Sequence, residues 1–469
     1  MASIFSDTIC APTTATGTGA ITVIRVSGPD AFAVTDKVVS LKKGDTAGAR
    51  GYSLHFGTVH DGEEVLDDVL VAVFRAPHSY TGEDAVEISC HASAYIAQRI
   101  LFLLTAAGAR AAAPGEFTRR AFVNGRMDLA QCEAVADLIA AETSAAHRLA
   151  MNQLKGGYSE EIRKIRSKLL EITILIELEL DFSEEDVEFA DRSELKRLTD
   201  ETLRMIDGLA ATFRLGNAIR RGVPVAIAGA VNSGKSTLLN ALLGEERAIV
   251  SDIAGTTRDT VEETLNVGGT LFRFIDTAGI RQTEETIEKM GIARTFDKIA
   301  KADIVLGVID LTAAEADQRS QLADLAGRVN PATQQLIVVG NKADLAGAGN
   351  AQDIVRLLPD TGAPQPVCLA LSALTGQGID RLKALLEATQ SDRIDSASTL
   401  LVTNLRHYEA LTAAARDLTA VQTALDTAVP TDFIAEDLRS ALSHLGSITG
   451  EVSADEVLGE IFGRFCIGK

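Results

Sequence analysis

The stretch GAVNSGKST, beginning at Gly229, has the spacing GxxxxGK[ST] and stands between an apolar strand pattern and a helical one. In that context its glycines leave backbone N–H groups free to surround phosphate oxygens at a helix N-terminus. The loop comprises Asn232, Ser233, Gly234, Lys235, Ser236 and Thr237. Lys235 neutralises β- and γ-phosphate oxygens, and Ser236 offers its hydroxyl to Mg²⁺. Three further motifs follow in order. SDIAGTTRD supplies Ser251, Asp252, Ile253, Ala254, Gly255, Thr256 and Thr257, the last suited to closing over Mg²⁺ and the γ-phosphate. DTAG, from Asp276 through Thr277 and Ala278 to Gly279, ends a strand with a metal-shell carboxylate and a glycine N–H that can sense the γ-phosphate. NKAD (Asn341, Lys342, Ala343, Asp344) ends a later strand, and SAL (Ser372, Ala373, Leu374) adds backbone contacts to a base. Asp344 can accept hydrogen bonds from guanine N1–H and N2–H₂, a pattern adenine does not present, so the site selects GTP over ATP.

Hydrolysis also needs a charge that stabilises the transferring phosphoryl group and a residue that aligns water. Signalling GTPases place a glutamine after the DTAG glycine, but Ile280 stands here, and an aliphatic side chain does neither task. A monovalent cation such as K⁺, seated by Asn232 and carbonyls of SDIAGTTRD, can supply the charge; Arg258 or Arg281 acting as a finger is the alternative. Glu284, Glu285 and Glu288 are candidates for aligning water, against the plainer role of solvating a helix.

These motifs require a positioning scaffold, and the hydrophobic pattern supplies three kinds. From Ser3 to about Thr118, the runs ITVIRVSG, VLVAVFRAP and AVEISC read as strands, with SAYIAQRILFLLTAAGA a helix among them. From Met127 to about Phe213 the pattern is helical. The stretch DLAQCEAVADLIAAETSAAHRLAMNQL opens on Asp128 as a cap and puts Leu129, Val135, Leu138, Ile139 and Leu149 near one face. After Pro224, strands (VAIAG, LFRFID, DIVLGVID, QQLIVVG, PVCLALS) alternate with helices to about Leu386, the pattern of a doubly wound parallel sheet. The last eighty or so residues return to long helices. The expected class is α/β plus all-α: an α/β domain over 1–120, a discontinuous helical domain over 121–215 and 387–469, and a nucleotide domain over 216–386 inserted into it.

Composition narrows the partners. A formal charge of −20 argues against a chain that coats nucleic acid unaided, so an RNA substrate would need a local basic patch or a partner's field. The acidic run from Glu177 to Glu194 holds nine carboxylates against Arg192 alone and reads as a solvated loop. The most apolar run, Leu169 to Phe182, carries four acids, which does not suit a membrane span. Five scattered cysteines, without a CxxC pair or a histidine at ligand spacing, fit a reducing cytoplasm.

Outside the nucleotide motifs stand DTICA near the start, RVSG at Arg25, YTGEDAVEISCH at Tyr80, PGEFTRRAFVNGRMDLAQCEAVADLI from Pro114 and a terminal FCIGK. With these the chain resembles, over essentially its whole length, the MnmE (TrmE) family of tRNA-modification GTPases. The resemblance implies a Ras-like P-loop GTPase domain inserted into the helical domain, behind an N-terminal domain that binds tetrahydrofolate and dimerises. It implies K⁺-stimulated hydrolysis with Asn232, Ser251, Ile253 and Thr256 as cation ligands, Mg²⁺ on Ser236 and Thr257, and Glu288 as the catalytic, water-orienting residue. It implies C5 modification of the wobble uridine, position 34 of certain tRNAs, in a heterotetramer with an FAD protein of the MnmG (GidA) type. A 5,10-methylene- or 5-formyl-tetrahydrofolate would supply the one-carbon unit, in a pocket lined by Arg25, Glu87 and Arg126 and reached by Lys469. Three positions, in two places, depart from the family pattern. Arg126 stands where the family also uses lysine, and Ala92 and Ser93 replace glycines after Cys90 and His91. Cys466 of FCIGK is assigned a packing or supporting role, since no base is identifiable beside it. The rival reading, a regulatory GTPase of ribosome assembly without modification chemistry, would call for a basic RNA-binding module, and none is visible.

Overall fold

The computed structural model describes residues 6–15, 19–181, 192–244, 263–275, 299–346, 351–358, 365–395, 400–427, 429–452, 461–463, 465 and 468. The chain forms two compact units. The first takes residues 1–140, 150–207 and 409–469, and the second takes 141–149 and 208–408.

Alternating apolar residues build the first unit's sheet. Val69, Val71 and Val73 of β5 (Glu64–Phe74), Val86, Ile88 and Cys90 of β6 (Ala85–His91), and Ile24 and Val26 of β2 (Ile21–Ser27) are buried. Their period of two puts them on one face, against Ala31, Val34, Ile100 and Leu104 of the helices Ala31–Asp36 and Ala94–Ala107. Together with β1 (Ile9–Pro12), β3 (Val39–Leu41), β4 (Ser53–Asp61) and β7 (Arg110–Ala111), the strand order is β3-β4-β5-β6-β2-β1-β7. All neighbours run antiparallel except β1 with β7. The same register sets Arg25 of β2 directly opposite Glu87 of β6.

The helical part of this unit rests on a 3-4 spacing. The helix Gly157–Asp181 buries Ile162, Ile165, Leu169, Ile172 and Ile176, and packs on Thr431–Thr449, which buries Ile434, Leu438, Ala441, Leu445 and Ile448. The cap at Asp128 is present as a reciprocal box: its carboxylate accepts from Gln131 N and the Gln131 side chain accepts from Asp128 N, both at 2.9 Å. The single amphipathic face expected from Leu129 to Leu149 is corrected. The helix Leu129–Ile139 stops, and a second helix, Ser144–Leu154, starts where Thr143 Oγ1 accepts from Ala146 N. The break separates the face: Leu129 is buried in the first unit, Ile139 is exposed, and Leu149 packs with Ile219 and Leu401 in the second.

The second unit's sheet has the order β13-β12-β11-β8-β10-β9. Its strands are β8 (Val223–Ala228), β9 (Glu263–Val267), β10 (Thr270–Phe274), β11 (Ile304–Asp310), β12 (Gln335–Asn341) and β13 (Val367–Ala370). Pairing is parallel except at the edge, where β9, a strand the sequence pattern does not announce, runs antiparallel to β10. Near-continuous apolar strands follow from burial on both faces. Val225, Phe272, Leu306 and Val339 pack with Leu238 and Leu242 of the helix Lys235–Leu243 and Leu382 of Ile379–Asp395. Because β8 has β10 on one side and β11 on the other, the strand order reverses there, and the crevice at its C-terminal end is where such sheets take ligands.

Candidate functional site

The loop that leaves β8 is shaped by close approaches. A Cβ on Gly229 would lie 3.1 Å from the Val308 carbonyl carbon and 3.0 Å from Ser233 Oγ, and one on Gly234 (φ +91) would collide with the Asn341 side-chain amide. Asn232 turns the chain with φ +63, a conformation asparagine tolerates better than most residues, and its side chain is exposed. The Lys235 ammonium donates to the carbonyls of Gly229 at 3.0 Å and Ala230 at 2.6 Å. Ser233 is buried and its Oγ has no hydrogen-bond partner among the described residues, while Ser236 and Thr237 lie at the first turn of the helix.

The base motifs brace this loop. Asn341 is buried; its amide donates to Ser233 O and its amide oxygen accepts from Ala373 N, each at 2.9 Å. One side chain thus fastens the phosphate loop to SAL. Lys342, at φ +64, donates to Asp310 Oδ2 at 2.6 Å, and Asp310 Oδ1 accepts from Thr312. Burial alone would raise the Asp310 carboxyl, but bonds from Lys342 and Thr312 outweigh it and hold it below the usual carboxylate range. Ala343 N donates to Leu371 O, and Ser372 is fully buried with Oγ accepting from Thr375 N. Asp344 and Leu374 follow directly on these fixed points, and Leu374 is exposed. The structure therefore brings GAVNSGKST, NKAD and SAL together. Ser251 to Thr257, Arg258, Asp276 to Gly279, Ile280, Arg281, Glu284, Glu285 and Glu288 lie outside the described residues.

A second cluster lies on the first unit's sheet. Arg25 donates to Glu87 Oε1 from Nε at 2.9 Å and approaches the same oxygen with Nη2 at 2.8 Å. Its guanidinium sits 4.9 Å from the Tyr80 ring centroid and 5.4 Å from that of Phe117, the geometry of cation–π contact. Tyr80 OH bonds to Thr118 Oγ1 at 2.8 Å. Arg126 is exposed, its stem against Gly82, where a Cβ would be 3.0 Å from Arg126 Cγ. Lys469 and Cys466 lie outside the described residues. The Ala92–Ser93 departure introduces no left-handed backbone: Ser93 is extended (φ −90, ψ 128) at the N-cap of the following helix, and Ala92 N donates to Ala20 O.

Beneath this cluster is a buried ionic network that sequence reasoning missed. Arg120, fully buried, donates to Glu83 Oε1 and Oε2 at 3.2 and 3.3 Å, to Asp7 O and Oδ1 at 2.8 Å, and to Glu116 Oε1 at 3.1 Å. Ser27, two residues along β2 from Arg25, donates to Glu83 Oε2 at 2.9 Å. The available signal was an arginine in register with Phe117 and Ala121, both wholly buried, on one helix. Desolvation, which alone would raise them, is outweighed at Asp7 by bonds and charge from Arg110 and Arg120, and at Glu116 mainly by Arg110; both carboxyls sit below their ordinary values.

Burial also sets thiol chemistry: Cys10, Cys90 and Cys368 are each pushed up to about 11, and Cys132 is raised further. Among the described residues no helix is long and apolar enough to cross a membrane, and no group of three or more His, Cys, Asp or Glu is placed to hold a metal ion.

A family model described as the MnmE helical domain matches residues 129–466, and one described as the GTP-binding protein TrmE N-terminus matches residues 8–126. The chain is 51% identical over 468 residues to the tRNA modification GTPase MnmE of Bacteroides thetaiotaomicron, with 99% of each chain covered. It is 48% identical over 472 residues to the protein of that name from Porphyromonas gingivalis, covering 100% of this chain and 99% of the relative. A crystal structure of a GTP-binding protein from the archaeon Sulfolobus solfataricus in complex with GDP superposes with a TM-score of 0.28 at 17% identity, covering 49% of this chain and 68% of that one, an overlap too partial to carry an argument. With both family models matched and half the residues shared end to end with such relatives, the chain belongs to the MnmE (TrmE) family of tRNA modification GTPases.

Proposed function

We propose that this GTPase is K⁺-stimulated and works with a flavin-dependent partner of the MnmG (GidA) type. Together they install carboxymethylaminomethyl or aminomethyl groups at C5 of the wobble uridine of certain tRNAs. The observation that carries the reading is the continuity of the family match, 99% of this chain against 99% of a relative, since a nucleotide domain alone would suit many switches. The domain limits 1–120, 121–215, 216–386 and 387–469 and a homodimer built through the first domain belong to the same proposal. So do a heterotetramer with the partner and a cytoplasmic location. With a formal charge of −20, this chain needs the partner or a local patch to attract tRNA.

The nucleotide loop suits a triphosphate. It holds a buried hydroxyl at Ser233 with no partner among the described residues, glycine-only backbone at Gly234, and a lysine resting on carbonyls that phosphate oxygens can replace. Mg²⁺ bound by Ser236 and Thr257, and K⁺ bound by Asn232, Ser251, Ile253 and Thr256, would supply positive charge to the transferring phosphoryl group. Lys235 adds its own charge to the phosphates, and Asp344 selects guanine through its donor edge. Glu288 orients the water that Ile280 does not. At the sheet cluster both Arg25 bonds go to Glu87 Oε1, which leaves Oε2 for the donor edge of a pterin ring, and the half-buried Tyr80 ring offers an apolar face. Arg25, Glu87, Arg126 and Lys469 would hold a 5,10-methylene- or 5-formyl-tetrahydrofolate, which supplies the one-carbon unit when bound.

Nucleoside analysis of bulk tRNA from a strain lacking the gene tests the pathway. Loss of C5-aminomethylated wobble uridine is expected, and an unchanged profile would overturn the reading. GTP turnover in KCl against NaCl at equal ionic strength tests the hydrolysis step. The parent should be faster in KCl, and Glu288→Ala should bind GTP normally while losing roughly 10²-fold or more in turnover, the usual scale for a removed catalytic group. Parent-like turnover in that variant removes Glu288 from its role.

A further inference from the structure

The carboxylate of Asp310 stands where the turn that carries Asp344 begins. β11 and β12 run parallel with Asp310 opposite Asn341, so the end of one strand lies beside the first residue to leave the other. That residue, Lys342, has φ +64, a left-handed conformation uncommon for a residue with a Cβ and kept only where the surroundings over-determine it. Both its side chain and its main chain are held. The ammonium donates to Asp310 Oδ2 at 2.6 Å, and the carbonyl accepts from Leu345 N at 3.0 Å and from Ala346 N at 3.2 Å. The bond from Leu345 N closes a turn that starts at Lys342, and Asp344 sits inside it. Asp344 is exposed, so the aim of its carboxylate depends on the backbone of that turn.

Asp310 is itself fixed, and its two oxygens have separate tasks. Oδ1 accepts from Thr312 N at 2.9 Å and from Thr312 Oγ1 at 2.6 Å, closing the end of β11. Oδ2 is left to Lys342. The amide of Asn341, one residue earlier, goes instead to Ser233 O and Ala373 N and braces the phosphate loop and SAL. The ion pair with Asp310 therefore acts on the part of NKAD that Asn341 does not tie down.

We propose that Asp310 is a positioning residue for guanine selection: through Oδ2 it fixes Lys342, and through Lys342 the turn that aims the Asp344 carboxylate at guanine N1–H and N2–H₂. The proposal rests on the reading of Asp344 as the guanine-selecting residue. A carboxylate that accepts two parallel bonds from one edge of a base tolerates little misalignment. A loosened turn loses the second of those bonds before the nucleotide is lost, because the phosphates are gripped by a different loop.

The test uses calorimetric Kd values for GDP and for inosine diphosphate, which lacks the N2 amino group, on the full-length chain. Asp310→Asn keeps an oxygen for Thr312 and turns an N–H₂ group toward the Lys342 ammonium, so it removes the tether alone. The parent should prefer GDP about tenfold or more. Asp310→Asn should weaken GDP about tenfold but inosine diphosphate only about threefold or less, and adding it to Lys342→Met should change neither constant further. A parent-like preference in Asp310→Asn overturns the positioning role even if both nucleotides bind more weakly. A further loss in the double variant overturns it as well, since Asp310 would then act on something other than Lys342. Asp344→Asn separates the two ideas: if it keeps the parent's preference, the guanine reading of Asp344 fails and the proposal with it. If Asp344→Asn loses the preference while Asp310→Asn keeps it, the tether alone is overturned. Should Asp310→Asn not fold, Lys342→Met, which leaves Asp310 on Thr312, must show the same shrunken preference.

Discussion

The two sites of this chain hold their cations by opposite means. In the nucleotide loop the Lys235 ammonium rests on the main-chain carbonyls of Gly229 and Ala230, six and five residues away, and the bracing amide of Asn341 also grips a main-chain oxygen. On the first unit's sheet, Arg25 is held by a carboxylate and two aromatic rings, and Arg120 beneath it by carboxylates from residues 7, 83 and 116. Backbone oxygens are present whatever the side chains are, so a ligand phosphate can displace them without stranding a charge. Carboxylates buried beside an arginine have no such freedom, because either ion left alone in the interior is costly.

That difference predicts where mutation hurts folding and where it hurts function. Arg120→Ala removes from buried Glu83 the guanidinium that donates to both its oxygens and should cost roughly 3–5 kcal/mol of stability, read as a lowered urea midpoint. A midpoint within experimental error of the parent would show that the network is not an ionic anchor. Lys235→Ala should do the reverse. Its carbonyl partners keep access to water at the loop, so the urea midpoint barely moves, while affinity for GTP falls by roughly 10²-fold, the scale of a lost charge-assisted contact to phosphate. Binding of mant-GTP at parent affinity would contradict it.

The same contrast explains what was legible in the sequence. GAVNSGKST, NKAD and SAL could be read because backbone-built sites depend on residues close together in the chain, with glycine where the main chain must come near. The Asp128 cap was readable for a similar reason, its partner being three residues away. Arg25 and Glu87 were found through the family likeness, while their neighbours Tyr80 and Phe117 acquire a role only once the sheet and the helix Glu116–Val123 are in place. Arg120 is not legible from sequence, because a charged residue on a mixed helix reads as surface until its partners at Asp7 and Glu83, 113 and 37 residues away, come into view. The break after Ile139 was hidden by a hydrophobic period that continues through it; the turn is set by Thr143, a local cap competing with the longer helix.

The rim of the Arg120 network gives the smallest expected effect and the finest resolution of the comparison. Asp7 accepts from both Arg110 and Arg120, but its side chain is 43% exposed, so water screens much of the interaction. Its folded pKa is lowered, since the two arginines outweigh a burial that would raise it. A carboxylate with a depressed folded pKa contributes stability in full above its unfolded value, near ~4, and loses that contribution as pH falls through the folded value. Asp7→Asn should therefore lower stability at pH 7 by less than about 1 kcal/mol. The deficit should shrink as the pH is brought below about 4, because the parent is then losing the same charge by protonation. Thermal midpoints of the two chains, compared between pH 7 and pH 3, would converge on this account. A gap that stays constant, or widens with acid, would mean that the carboxylate's charge is not what stabilises the parent, and no gap at any pH would mean that Asp7 acts through its backbone oxygen, which accepts from Arg120 at 2.8 Å and which the variant keeps.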